Sequence, residues 1–315
     1  MLFRSYRTRH RYIIAVYDQI LGLFKQIEKG DFLKVHLNIE NIEEQRSIIG
    51  LKGDELFNWM LTHNYLSEIA ELQFKECFAA ILSDMLQYIL TALKCSSKGQ
   101  LSVTYALLRK PLKDGLFYLE QLLVDPDEFL VKFNDTNNVN TFAVDKRSPE
   151  EIQSIIKRSI DILGTTFYDP KEFYDLRFNK KNTYGFEPLF ELANHLITKH
   201  EFYRTSEGNF NFIFSDNEAQ ESQWEFLYLH MPNIIYYLFS LVSSISSKFI
   251  ILPNYWPLLK VKYFLGLIKI HSKNNIFVLE TFHEAFNEFD VKCDLCNEPF
   301  VFNVKQLNIF ERKFR

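Results

Sequence analysis

Three short segments of this chain carry one signature: Asp125-Pro126-Asp127-Glu128, Ser148-Pro149-Glu150-Glu151 and Asp169-Pro170-Lys171-Glu172. In each, the first side chain can accept a bond from an unpaired backbone N–H, and proline suits the first helical position. An acid three residues after the cap can then close a capping box. The signatures predict helices near 126–134, 149–162 and 170–176, with the polar stretch Asn134 to Arg147 between them as a loop and domain boundary.

Only 10 of the 315 residues are glycine while 31 are phenylalanine. Few glycines mean few tight turns, which favours long helices over a many-turned sandwich or barrel. Before the boundary the pattern is helical. Phe74, Phe78, Ile81, Met85, Ile89 and Leu93 recur at three- and four-residue steps and define a helix over 67–95. Tyr105, Leu108, Leu112, Leu116, Leu119 and Leu123 define a second over 101–124, in which Pro111 is expected to make a kink. Ser96-Ser97-Lys98-Gly99 joins the two as an antiparallel hairpin. Further helices are expected near 186–199, 220–247 and 256–271. The alternation Asn209-Phe210-Asn211-Phe212-Ile213-Phe214 and the region around Cys293 and Cys296 are expected to form small β-hairpins.

The segment Phe226 to Ser247 holds no Lys, Arg, Asp or Glu over 22 residues, long enough to span a bilayer. His230, Pro232, Asn233 and several serines lie within it, and the mean hydropathy of the whole chain is −0.14. A buried central helix fits this better than a membrane span. At the N-terminus Arg4, Arg7, Arg9 and Arg11 make a local basic run. Without these four the net charge of −4 would be −8. Such an arm offers nucleic acid or a membrane surface a contact, or forms a solvated helix face.

Cys293-x-x-Cys296 has the spacing of half a zinc site. Tetrahedral zinc needs two further ligands, which His283, His271 or a second chain would have to supply. The alternative is a tight turn with two free thiols. No other cofactor is implied. Four cysteines make no disulfide framework in a chain of this size, so a reducing, cytoplasmic setting is the default.

At 100° per residue, Glu71 falls inside the apolar stripe of the first long helix and Arg109 inside that of the second. An unpaired buried charge is heavily penalised, so the two are expected to pair, or Arg109 to line an anion or nucleotide pocket. Glu191 and His195 stand four apart on one polar helix face, able to share a proton or metal or simply to be solvated.

The run from Tyr105 to Asp114 places an acid shortly after an arginine on a core helix and resembles a pattern in bacterial HEPN-like helical proteins. That resemblance implies a helical bundle and, for the RNases in the group, a catalytic arginine and histidine four to six residues apart. Arg4 with His10 is the pair here that fits. It departs from the family pattern in lying at the N-terminus rather than at the start of a late helix. The chain has no phosphate-binding glycine loop, no dinucleotide fingerprint, no H-E-x-x-H and no G-x-S-x-G motif.

The resulting expectation is a mostly α-helical protein, with an N-terminal bundle over 1–135 and a second helical region over 148–315 that ends in a Cys-x-x-Cys hairpin. Two functions stay open: a helical interaction protein that binds a protein partner or a second copy of itself, and a HEPN-like nuclease or nucleotide-binding component of a bacterial defence or stress system.

Overall fold

Each of the three proline-led signatures opens a helix. Asp125 Oδ1 accepts the Glu128 N–H at 3.2 Å, and Asp169 Oδ1 accepts the N–H groups of Lys171 and Glu172, both at 2.9 Å. Ser148 and Glu151 close a full capping box, with bonds of 3.2 and 2.9 Å. The computed structural model describes residues 4–29, 32–135, 142–164, 169–213, 215–272 and scattered positions between 280 and 306.

The chain is mostly helical. It runs through α1 (Arg7–Lys29), α2 (Ile42–Ser47), α3 (Asp54–Thr62), α4 (Leu66–Ser97) and α5 (Leu101–Arg109). A π-helical turn (Lys110–Gly115) leads into α6 (Leu116–Val124) and α7 (Pro126–Asn134). After a 3-10 turn (Val144–Lys146) come α8 (Pro149–Leu163), α9 (Pro170–Arg177), α10 (Phe186–Asn194), α11 (Asn217–Ser246) and α12 (Trp256–His271).

The uncharged run lies in α11, which is buried on nearly all sides from Ile234 to Val242. A helix that is apolar all round belongs in a protein interior or a membrane. By length and composition α4 and α11 could each cross a bilayer, but 78% of the apolar window of α11 is already buried inside this fold. Its serines are absorbed locally: Ser240 and Ser243 donate to the carbonyls of Tyr236 and Phe239 one turn back, which satisfies hydroxyls that have no water. Around α11 pack α1, α6, α8 and α12, and α4 pairs with α5 as the expected hairpin. One apolar cluster runs from Tyr6 to Leu267, so residues on both sides of 134–147 build the same core. A smaller cluster of Trp59, Met60 and Ile69 sits under 37–65.

Pro111 produces a π turn where a kink was expected. Proline cannot donate to a carbonyl one turn back, and the chain answers by widening, so that the Leu116 N–H bonds to Pro111 O, five residues back. Such turns are concentrated at functional sites. The turn packs against α4 at Gly115, where a Cβ would come within 2.5 Å of Met85 Cγ and 2.7 Å of Sδ. Gly115→Ala is therefore expected to lower the unfolding free energy by about 1–3 kcal/mol through overpacking. Urea denaturation checks this, and an unchanged midpoint would mean that Met85 can swing aside freely.

Two expected hairpins are absent among the described residues, which contain no sheet. Instead of forming strands, 195–213 folds as an irregular loop closed by side chains: Thr198 Oγ1 donates to Tyr203 O, Thr205 Oγ1 to Asn211 Oδ1 and Asn211 Nδ2 to His195 O. Asparagine and threonine here bond to nearby turns instead of a partner strand. Phe214 lies outside the described residues. Near the C-terminus the described residues show an isolated bridge between Lys292 and Pro299. Cys293 forms a turn inside it, its N–H donating to Glu298 O at 2.9 Å.

Candidate functional site: a cleft with an inward-turned arginine

The side chains singled out by periodicity do not meet. Arg109 is exposed at the end of α5, and Glu71, on α4, pairs with Lys75 one turn on at 2.5 Å. The π turn is the physical reason. Its wider ring advances each residue less around the axis than the assumed 100°. Arg109, which precedes it, stays on the solvent side, while Lys113 and Glu120, inside and after it, are carried into the interior.

There they find charges on the opposite helices. Glu120 and Arg177 are both fully buried and joined at 2.6 Å, and Arg177 Nε donates to Leu112 O of the π turn at 2.9 Å. The guanidinium also lies 5.0 Å from the Phe173 ring centroid and 4.8 Å from that of Phe178. Burial pushes the Glu120 carboxyl up, with Arg177 and the Tyr237 hydroxyl opposing. Lys113 meets Glu187 of α10 at 2.5 Å, with both side chains almost wholly buried. Neither pair is fully bonded: Glu120 Oε2, Arg177 Nη2 and Glu187 Oε2 have no hydrogen-bond partner.

Lys113 also forms part of the wall of a cleft of about 300 Å³, and the decisive residue of that cleft is Arg147. Val144 is 3% exposed and pins the 3-10 turn to the core. The chain then becomes extended at Arg147, whose N–H bonds to Val144 O, before Ser148 caps α8. Arg147 is thereby held between two fixed points with its side chain turned inward, 5% exposed. Its nearest carboxylate is Glu151 Oε1, at 3.8 Å from Nη1 and beyond hydrogen-bond reach. Its Nε and Nη2 have no hydrogen-bond partner at all. Burial pushes the nearby Tyr118 hydroxyl up, Asp114 adds to that, and Arg147 opposes it. Lys180 and Lys181 stand exposed on the rim, and Asp145 is the carboxylate among the lining residues.

Two larger hollows carry less chemistry. One of about 510 Å³ is lined by Asp169, Glu172, Asp175, His230 and Asn233. Asp169 is already used as a cap, and Asp175 accepts Asn179 Nδ2 at 2.7 Å. Burial, with His271 adding to it, holds His230 near 4, so it is neutral at ordinary pH. The other, of about 410 Å³, is an apolar groove of Ile81, Tyr118, Phe129, Phe133 and Phe142.

The remaining sequence candidates lie elsewhere. Arg4 is in the 3-10 turn Arg4–Tyr6. His10 is half-buried on α1, its Nδ1 2.8 Å from the Tyr228 hydroxyl, which is in turn 3.0 Å from Ser96 Oγ. Burial lowers the pKa of His10. His195 ends α10 exposed, 3.6 Å from Glu191. Among the described residues no three His, Cys, Asp or Glu side chains are grouped to hold a metal, at Cys293 and Cys296 or elsewhere.

No protein family, curated protein or solved structure matches this chain. The cleft therefore has to be read from its own chemistry. Two nitrogens of the Arg147 guanidinium are unbonded, and three lysines line the same cleft; arginine's planar fork matches phosphate or carboxylate oxygens in pairs.

Proposed function

We propose that the protein binds a phosphate-class anion in the Arg147 cleft. The supporting observation is the pair of unbonded guanidinium nitrogens on a side chain that is 5% exposed. Leaving a buried donor unsatisfied costs about 1–3 kcal/mol, and more when it is charged. A ligand supplying two acceptor oxygens removes that penalty. Of the two functions open from the sequence, this favours a ligand-binding role over a purely scaffolding one, with Arg147 taking the part expected of Arg109.

The reading makes an unusual prediction about stability. Arg147→Met removes unpaired donors while filling similar space, so the ligand-free variant should be as stable as the parent or more so, by up to about 2 kcal/mol. It should also lose stabilisation by inorganic phosphate, which in the parent raises the melting temperature through mass action. Arg109→Met, on the exposed end of α5, should keep it. Thermal unfolding across a phosphate titration reads both effects. A variant that loses several kcal/mol, or a parent indifferent to phosphate, would sink the proposal.

A further inference from the structure

Resting on that reading, we infer that the occupant of the cleft is a small phosphate ester whose phosphate is attached close to a flat, apolar ring. The first reason is room. A cleft of about 300 Å³ corresponds to roughly ten water volumes, far more than the five heavy atoms of a phosphate group need. The volume also stands at the lower end of the range for small-molecule pockets, which leaves space for one ring rather than an extended ligand.

The second reason is how the lining is divided. The cationic groups, Lys113, Arg147 and the rim lysines, share the cleft with Val144, Ile152, Tyr174 and Phe178. Those four are each at most 9% exposed, so the apolar wall is part of the core and does not move with solvent. Tyr174 and Phe178 lie nearly parallel, with ring centroids 5.9 Å apart and an interplanar angle of 21°. Phe178 is backed by the Arg177 guanidinium and by Phe117. With Tyr174 stacked against Phe178 and the Arg177 guanidinium over the same ring, the wall leaves ring edges rather than a free face, which a flat ring can meet edge-on while its phosphate meets the Arg147 fork.

The donors bear on the choice of phosphate over a carboxylate. Lys113, Arg147, Lys180 and Lys181 are matched by Asp114, Asp145, Glu151 and Glu187, so the surroundings of the cleft are balanced in charge before a ligand enters. The spare Nε and Nη2 of Arg147, together with the lysine donors, number more than the two oxygens of one carboxylate require.

The test is a ligand series on the full, unmodified chain by isothermal titration calorimetry: inorganic phosphate, methyl phosphate, phenyl phosphate and adenosine 5′-monophosphate. Phenyl phosphate is expected to bind about tenfold or more tighter than methyl phosphate, because the ring buries apolar surface that the methyl group cannot. A nucleotide is the other source of a phosphate with a flat ring. Its ribose places the base farther away, so adenosine 5′-monophosphate should bind more weakly than phenyl phosphate. Equal binding of phenyl, methyl and inorganic phosphate would overturn this inference and leave the anion-binding reading standing. Tighter binding of the nucleotide would overturn the claim of close attachment. If none of the four binds, both readings fall together. Arg147→Met should weaken all four, whereas Ile152→Ala should narrow the phenyl-to-methyl ratio toward one.

Discussion

Arg177→Met is expected to lower the unfolding free energy by about 3–5 kcal/mol at neutral pH, because it leaves the Glu120 carboxylate buried without its cation. Both side chains are 0% exposed and no water can reach Glu120 to replace the lost partner. The loss should depend on pH, with a sign that can be worked out. Burial already raises the Glu120 pKa, and Arg177 is the main influence opposing that rise. Without Arg177 the folded-state value climbs further above the unfolded value of about 4.3. Between those two values the folded protein holds a proton that the unfolded chain releases, so stability falls as pH rises through the window. The variant should therefore lie close to the parent near pH 4 and show its full deficit only above the raised value. Urea midpoints of parent and variant at several pH values give the result directly. A deficit that stays flat with pH would show that Glu120 is compensated by another partner, the Tyr237 hydroxyl already acting on it. Removing both charges, as Glu120→Leu with Arg177→Met, should restore much of the loss, since two well-packed apolar side chains leave nothing unpaired.

The helices were readable in the sequence because their causes are local. A proline after Asp or Ser fixes a helix start through one cap and one dihedral angle, the stripe of α4 follows from burial at helical period, and α11 follows from an uncharged run. The charges were harder to place because their burial depends on the phase of a single turn. Glu120 lies four residues after Leu116 and three before Leu123, and Arg177 lies four after Phe173. Both spacings belong to the apolar stripes, and they are the signal that would have found the pair. An unbroken 100° count drew attention to Arg109 instead, since it had no way to register the π turn at Pro111. Arg147 is a different case. In sequence it ends a polar stretch beside a helix cap, and in the fold it is set inward by a turn anchored by Val144, in a cleft it shares with Tyr174 and Phe178. No local pattern encodes that. The C-terminal hairpin failed for the opposite reason: alternation is a local signal, but a strand needs a partner to bond with, and the described residues supply a single bridge.

Lys113→Met is expected to lower the unfolding free energy by about 3–5 kcal/mol, comparable to the effect at Arg177 and opposite in direction to that of Arg147→Met. Lys113 and Arg147 line the same cleft, yet they stand in different electrostatic positions. Lys113 is bonded to Glu187 at 2.5 Å, and Glu187 is 1% exposed with its second oxygen unbonded. Deleting the lysine leaves a buried carboxylate with no hydrogen-bond partner on either oxygen. Deleting the arginine leaves only Glu151, whose side chain is 52% exposed and solvated. The first change creates an unpaired buried charge and the second removes buried donors that have no hydrogen-bond partner. The double variant Lys113→Met with Glu187→Met should recover most of the lost stability, because the shared penalty disappears with the carboxylate. Chemical denaturation of the four proteins in this cycle, with Arg147→Met beside them, separates the two roles. If Lys113→Met and Arg147→Met destabilise alike, the arginine is part of the scaffold, and the cleft loses the feature that marks it as a binding site.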